Sequence, residues 1–169
     1  MTCIDDEIVE RAGLVGKHAG DGATAFFLPE QHGGESAAAR ACVEAARAIG
    51  SRTAEIADRS GLAVGDVVVR FGLHWGATLY VGRLLTSGRA DVTALGDAVN
   101  ETARIEACAS GGRTLASKDL VERPEPADAD ALGLGAGIRF TSLTDLPSAT
   151  DKARRDAPSL AVCDLAGEA

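Results

Sequence analysis

The sequence predicts one domain that mixes helices with strands. Its 169 residues are 46% hydrophobic, which supplies enough apolar side chain for a single packed core. Runs rich in β-branched residues beside glycine, such as 67–73 and 91–95, are typical of strands. The alanine-rich stretch 36–60 has the apolar periodicity of a long helix. We therefore expect residues 1–169 to form one domain that contains both kinds of element.

The other elements follow from the same two patterns. The predicted strands are apolar or β-branched runs next to turn residues, at 14–18, 23–28, 67–73, 78–85, 91–95, 113–116, 138–143 and 159–163. The predicted helices are 1–11, 36–60, a segment from Asp97 and a short one ending near residue 122. The side chains of Asp97 and Ser117 are expected to cap the last two of these helices. Residues 123–137 are expected to be a loop, and the charged stretch 151–156 to connect the closing strands.

Composition excludes several classes of function. The net charge of −8 and the pI near 4.8 argue against a broad surface for nucleic acid or acidic lipid. The four cysteines lack CxxC spacing, so neither a zinc site nor a disulfide framework is expected. No apolar run reaches membrane-spanning length, and the acidic first residues do not resemble a signal peptide. We therefore expect a soluble cytoplasmic protein that binds neither nucleic acid nor membrane.

The most informative segment is VTALGDAVNETARIE at residues 92–106. It predicts a strand, a tight turn at Gly96 and a helix. On that helix Asn100 and Arg104 stand one turn apart on the same face, where an amide and a guanidinium can converge on one phosphate group. On the residues alone, a surface pair between Arg104 and the helix acid Glu101 is the favoured alternative.

Two further segments carry residues of interest. The segment KHAGDG at 17–22 predicts a hairpin with Asp21 at its exposed tip, although an isolated aspartate there is more often an ordinary turn residue. The segment GLHWG at 72–76 ends a predicted strand. A lone histidine such as His74 is more often a hydrogen-bonded structural residue than a ligand or a base. Trp75 is a candidate for packing at an interface.

These three segments, in this order, resemble motifs of the class III nucleotidyl cyclases. The resemblance covers the chain from about residue 7 to the strand near residue 162, and it weakens after Leu120. It implies an α+β fold of the ferredoxin-like βαββαβ type, with an antiparallel-rich sheet and helices packed on it. The family's first strand has no counterpart in this sequence, so the resemblance is to an N-terminally truncated cyclase domain.

The resemblance implies a reaction and its cofactors. Cyclases of this family convert a nucleoside triphosphate into a 3′,5′-cyclic monophosphate and pyrophosphate, with two Mg²⁺ or Mn²⁺ ions. By resemblance, Asp21 is one of the two metal-binding carboxylates. The other would lie on the first strand that this sequence lacks, and Asp5 and Asp6 do not fit that motif.

Substrate roles carry over residue by residue. Lys17 and Thr93 match the pair that reads the purine, and their identities favour ATP over GTP. Asn100 matches the residue that positions the ribose, and Arg104 the one that holds the α-phosphate. A family lysine that grips the terminal phosphates aligns with Thr144, so that contact is expected to be altered or lost.

The family's active site lies between two catalytic domains, one supplying the metal carboxylates and the other the base, ribose and phosphate contacts. One chain with both sets implies a homodimer with two equivalent sites. We therefore expect an adenylate cyclase-like lyase. The alternative is a degenerate cyclase-homology domain that binds nucleotide or a partner without turnover, because the first metal aspartate and the lysine are missing.

Overall fold

The computed structural model describes residues 2–63, 65–76, 80–86, 89–135 and 137–165. Its helices are α1 (Thr2–Glu10), α2 (Pro29–His32), α3 (Glu35–Arg59), α4 (Asp97–Cys108), α5 (Lys118–Val121), α6 (Pro126–Ala131) and α7 (Asp151–Asp156). Its strands are β1 (Leu14–Ala19), β2 (Gly22–Phe26), β3 (Phe71–Leu73), β4 (Tyr80–Thr86), β5 (Arg89–Leu95), β6 (Thr114–Ser117), β7 (Thr141–Ser142) and β8 (Ala161–Asp164). Single 3₁₀ turns lie at Ser110–Gly112 and Leu143–Asp145.

The described strands form three hydrogen-bonded groups. A four-stranded sheet has the order β3-β6-β8-β7, in which only the β3–β6 pair is parallel. The hairpins β1–β2 and β4–β5 are antiparallel, and β1 also lies against β5. The predicted α+β class, with an antiparallel-rich sheet and packed helices, is confirmed.

Two apolar clusters hold the helices on the four-stranded sheet. In the first, Ala39, Val43 and Ala46 of α3 pack with Leu73 and Leu120. The second joins α4, α7 and the sheet around fully buried side chains, which include Ile105, Leu115, Leu143, Ala153 and Val162. Small aliphatic packing of this kind fits a chain in which 4% of residues are aromatic.

Several predicted elements are different in the structure. Strand β3 covers only Phe71–Leu73 of the predicted 67–73, because Val67 and Val68 are exposed and have no described strand partner. The closing strand predicted at 138–143 is reduced to the two residues of β7. Strand formation at both places depends on a neighbouring strand, which a local pattern does not reveal.

Two predicted connections contain helices. The loop predicted at 123–137 contains α6, whose proline occupies the first helical turn, where its missing N–H is not needed. The stretch 151–156 forms α7, and the Thr150 side chain caps it by accepting from the backbone N–H of Ala153. The loop prediction was therefore wrong over Pro126–Ala131, because short helices with few apolar residues have almost no periodic signal.

One of the two predicted helix caps is confirmed. Ser117 accepts from the backbone N–H of Leu120 and caps α5. The cap predicted at Asp97 is wrong, because α4 begins at Asp97 itself and the residue before it, Gly96, makes no side-chain cap. Gly96 has a φ of 145°, a backbone conformation that glycine adopts readily.

The four cysteines are free, as expected. Burial raises the pKa of the Cys163 thiol to about 11, with the Asp164 charge as a lesser cause.

No helix in the described ranges is long and apolar enough to cross a membrane.

Candidate functional site

Helix α4, which carries Asn100 and Arg104, lies directly on strand β3. A Cβ atom added at Gly72 would lie 2.7 Å from the Cα of Glu106, and one added at Gly76 would overlap Ala98. The two glycines of the GLHWG segment are therefore explained by close packing of strand and helix. This packing fixes the distance between α4 and the sheet.

This close approach predicts the stability of a variant. Gly72→Ala is expected to lower the free energy of unfolding by about 1–3 kcal/mol, because the added methyl group meets backbone atoms of α4 that cannot move independently. Urea unfolding followed by circular dichroism measures the change. Gly82→Ala is the matched control, since nothing described lies within 4 Å of a Cβ there. Equal stability of the two variants would contradict the close packing.

His74 connects the end of β3 to α4. Its side chain is 3% exposed, and its Nε2 donates to the Glu101 carboxylate over 3.0 Å. The expectation of a hydrogen-bonded histidine is confirmed. Its Nδ1 is buried and has no partner in the described part of the chain. The neighbouring Trp75 packs on the first cluster. The guanidinium carbon of Arg123 lies over its ring, 5.0 Å from the ring centre.

Arg104 has a partner that the sequence does not indicate. Its Nε donates to the Asp156 carboxylate of α7 over 3.0 Å, and its side chain is 22% exposed. The alternative surface pair between Arg104 and Glu101 is not among the described contacts, and the Glu101 carboxylate accepts from His74. Arg104 is thus held at the junction of α4 and α7.

Asn100 lies one turn before Arg104 on α4 and is exposed. Its amide makes no side-chain hydrogen bond to the residues that the structure describes, so its donor and acceptor are both available to a ligand. The predicted helix over this segment is confirmed. The structure therefore places an accessible amide one turn from a guanidinium.

The hairpin β1–β2 presents Asp21 at its tip, as predicted. Gly20 has a φ of 65°, which makes the tight turn possible, and Asp21 is exposed. Within the described ranges Asp21 takes part in no hydrogen bond or ion pair. The hairpin is held to α1 close to this tip, since His18 Nε2 donates to Asp5 over 2.9 Å.

Lys17 and Thr93 lie on neighbouring strands, β1 and β5. Lys17 is exposed and falls where the pairing of β1 with β2 shifts register, between Val15 and His18. A bulge of this kind redirects a side chain away from the regular alternation. Thr93 is half-buried and pairs with Gly82 of β4.

Asp21 is the residue that the sequence predicts to bind a metal ion. No group of three or more histidine, cysteine or acidic side chains that could hold an ion occurs among the described residues. A single exposed carboxylate still fits one Mg²⁺ or Mn²⁺, because such ions are often held by one or two carboxylates together with substrate phosphates. The chemistry of this one carboxylate is therefore compatible with one of the two ions that the resemblance implies.

Thr144, at the position of the family lysine, lies in the 3₁₀ turn after β7. Its hydroxyl is 2.8 Å from that of Ser142, and its backbone oxygen accepts from Arg154 over 2.5 Å. A guanidinium from α7 therefore lies beside the residue where the lysine is absent. The acid that follows, Asp145, is exposed.

The described fold is similar to those of two solved cyclases. The crystal structure of the adenylyl cyclase CyaB from P. aeruginosa matches with a TM-score of 0.67 and 19% identity, covering 95% of this chain and 76% of that one. The fold is cyclase-like. The crystal structure of the guanylyl cyclase Cya2 matches with a TM-score of 0.57 and 22% identity, covering 98% and 76% of the two chains. No protein-family model and no curated protein sequence matches.

Proposed function

We propose that this chain is an adenylate cyclase-like domain that converts ATP into 3′,5′-cyclic AMP and pyrophosphate as a homodimer. The observation that carries the proposal is the pair on α4, with an accessible Asn100 amide one turn from the Arg104 guanidinium. The cyclase-like fold supports the assignment of this pair to a nucleotide. Both named neighbours are nucleotidyl cyclases, one adenylyl and one guanylyl.

The reaction requires groups that stabilise charge on phosphorus. The ribose 3′ oxygen attacks the α-phosphorus, and the bond from that phosphorus to the oxygen that bridges to the β-phosphorus breaks. Pyrophosphate leaves, and the proton of the 3′ hydroxyl passes to water. Arg104 would bind the α-phosphate oxygens, where negative charge gathers in the transition state. Asn100 would hold the ribose so that its 3′ oxygen lies in line with the leaving group.

Asp21 would hold a divalent ion beside the triphosphate. When bound, such an ion supplies positive charge to the phosphates and lowers the barrier to release of pyrophosphate. Asp21 would come from one subunit, and Asn100 and Arg104 from the other. Arg154 would provide a cation near the position of the missing family lysine.

Lys17 and Thr93 would select adenine, because an ammonium donates to ring N1 and a hydroxyl accepts from the 6-amino group. Lys17→Ala is expected to raise the KM for ATP by about tenfold, with a smaller effect on GTP, since one charged hydrogen bond is lost. Steady-state rates with each nucleotide measure this preference. The matched control is Lys118→Ala, which removes an exposed lysine of α5 that pairs with Glu122. Equal increases in KM for both nucleotides would rule out base reading by Lys17.

The proposed function is tested by incubating the purified chain with ATP and Mn²⁺ and identifying the product by mass spectrometry. Cyclic AMP that disappears on chelation of the metal is the expected result. Binding of ATP without cyclic product would instead support the second candidate, a nucleotide-binding domain without turnover. The single carboxylate in the described hairpin site is the observation that favours this second candidate.

A further inference from the structure

Asp156 holds Arg104 in an arrangement that leaves most of the guanidinium available. The carboxylate accepts from Arg104 through Nε alone, over 3.0 Å. Neither terminal amino group of Arg104 donates to a described residue, so both are available to a ligand. An arginine fixed through Nε can still present a two-pronged contact to a phosphate group.

The helix that carries Asp156 is fixed against α4. Ala153 and Ala157 are buried in the second cluster with Ile105 and Cys108. The cap at Thr150 holds the first turn of α7. Because these contacts leave α7 little freedom relative to α4, Asp156 is a fixed point from which Arg104 is oriented.

The charges around Asp156 leave the cluster positive. Arg155 donates to the same carboxylate from its Nε over 2.7 Å, so two guanidinium groups share one acid. The hydrogen bond from Arg155, and then that from Arg104, lower the pKa of Asp156 below its usual value. Asp156 is therefore ionised at neutral pH, and the three groups together carry one net positive charge.

We propose that Asp156 is a positioning residue, which holds Arg104 by its Nε so that the two terminal amino groups can bind a phosphate group. This inference rests on the proposed function in assigning Arg104 to a phosphate. It adds α7 to the site, although nothing in the local sequence around Arg104 indicates that helix.

The test is calorimetric titration of the full chain with inorganic triphosphate, which needs no turnover. Asp156→Ala is expected to weaken binding about tenfold, because Arg104 loses its fixed orientation. Asp156→Asn keeps an oxygen that accepts from Nε and removes a negative charge, so it should bind at least as tightly as the unaltered chain. Asp151→Ala, at the other end of α7, is the matched control and should change binding by less than about twofold.

The sign of the effect separates positioning from competition. If Asp156 merely competes with phosphate for Arg104, then Asp156→Ala would bind triphosphate more tightly, which would overturn the proposal. A second check repeats Asp156→Ala in an Arg104→Ala background, where positioning predicts no further loss. An equal loss in both backgrounds would also overturn it.

The same titration distinguishes the inference from the proposed function. Absence of any triphosphate binding by the unaltered chain would overturn the positioning role. Binding that follows the expected pattern, in a chain that forms no cyclic AMP from ATP, would reject turnover and leave the positioning role standing. Circular dichroism of each variant confirms that the fold is retained.

Discussion

Replacing Arg104 with alanine is expected to lower the rate of cyclic AMP formation by about 100-fold or more. The guanidinium would act on charge that develops at the α-phosphate, so its loss should lower kcat more than it raises KM. Initial rates over a range of ATP concentrations, with Mn²⁺ in excess, separate the two constants. A rate within twofold of that of the unaltered chain would remove Arg104 from the mechanism.

Two controls make the Arg104 result specific. Arg52→Ala removes an exposed arginine from α3, far along the chain from α4, and should leave the rate unchanged. Arg104→Lys keeps the charge and loses the planar fork, so it should recover only part of the activity. Thermal unfolding of the alanine variant tests whether loss of the Asp156 contact, rather than of a phosphate contact, explains the effect.

Asp21→Ala is expected to abolish most of the metal-dependent rate, also by about 100-fold or more. Asp21 is exposed and makes no contact with the described residues that its loss would break, so thermal stability should be unchanged. Rates measured over a range of Mn²⁺ concentrations are the appropriate readout. Asp6→Ala, an exposed acid on α1, is the matched control. An unchanged dependence on Mn²⁺ would show that Asp21 holds no catalytic ion.

The parts of the fold that the sequence predicted best are those with local signals. The long α3 has a continuous apolar stripe, and the β1–β2 hairpin has glycine on both sides of Asp21. Helix α4 follows a strand and a glycine, and its prediction was confirmed. In each case the pattern and the element lie within the same short segment, so no knowledge of the neighbours was needed.

The parts that could not be predicted depend on distant partners. Arg104 and Asp156 are separated by 52 positions, and His74 and Glu101 by 27. The glycine at 72 is explained by the approach of α4, a contact that only the folded chain reveals. Val67 and Val68 are β-branched, like many strand residues, yet no described strand lies beside them to provide hydrogen bonds. A local pattern could indicate the residue types of the site, but not which of them meet.

Mixing the Asp21→Ala and Arg104→Ala chains tests the central claim most directly. If one subunit supplies Asp21 and the other Arg104, a mixed dimer has one site with both residues intact and one with neither. Random pairing makes half of the dimers mixed, each with one of its two sites intact. Two chains that are inactive alone should therefore recover about one quarter of the unaltered activity when they exchange subunits. A mixture that stays as inactive as its components, despite demonstrated subunit exchange, would contradict a site shared between two subunits.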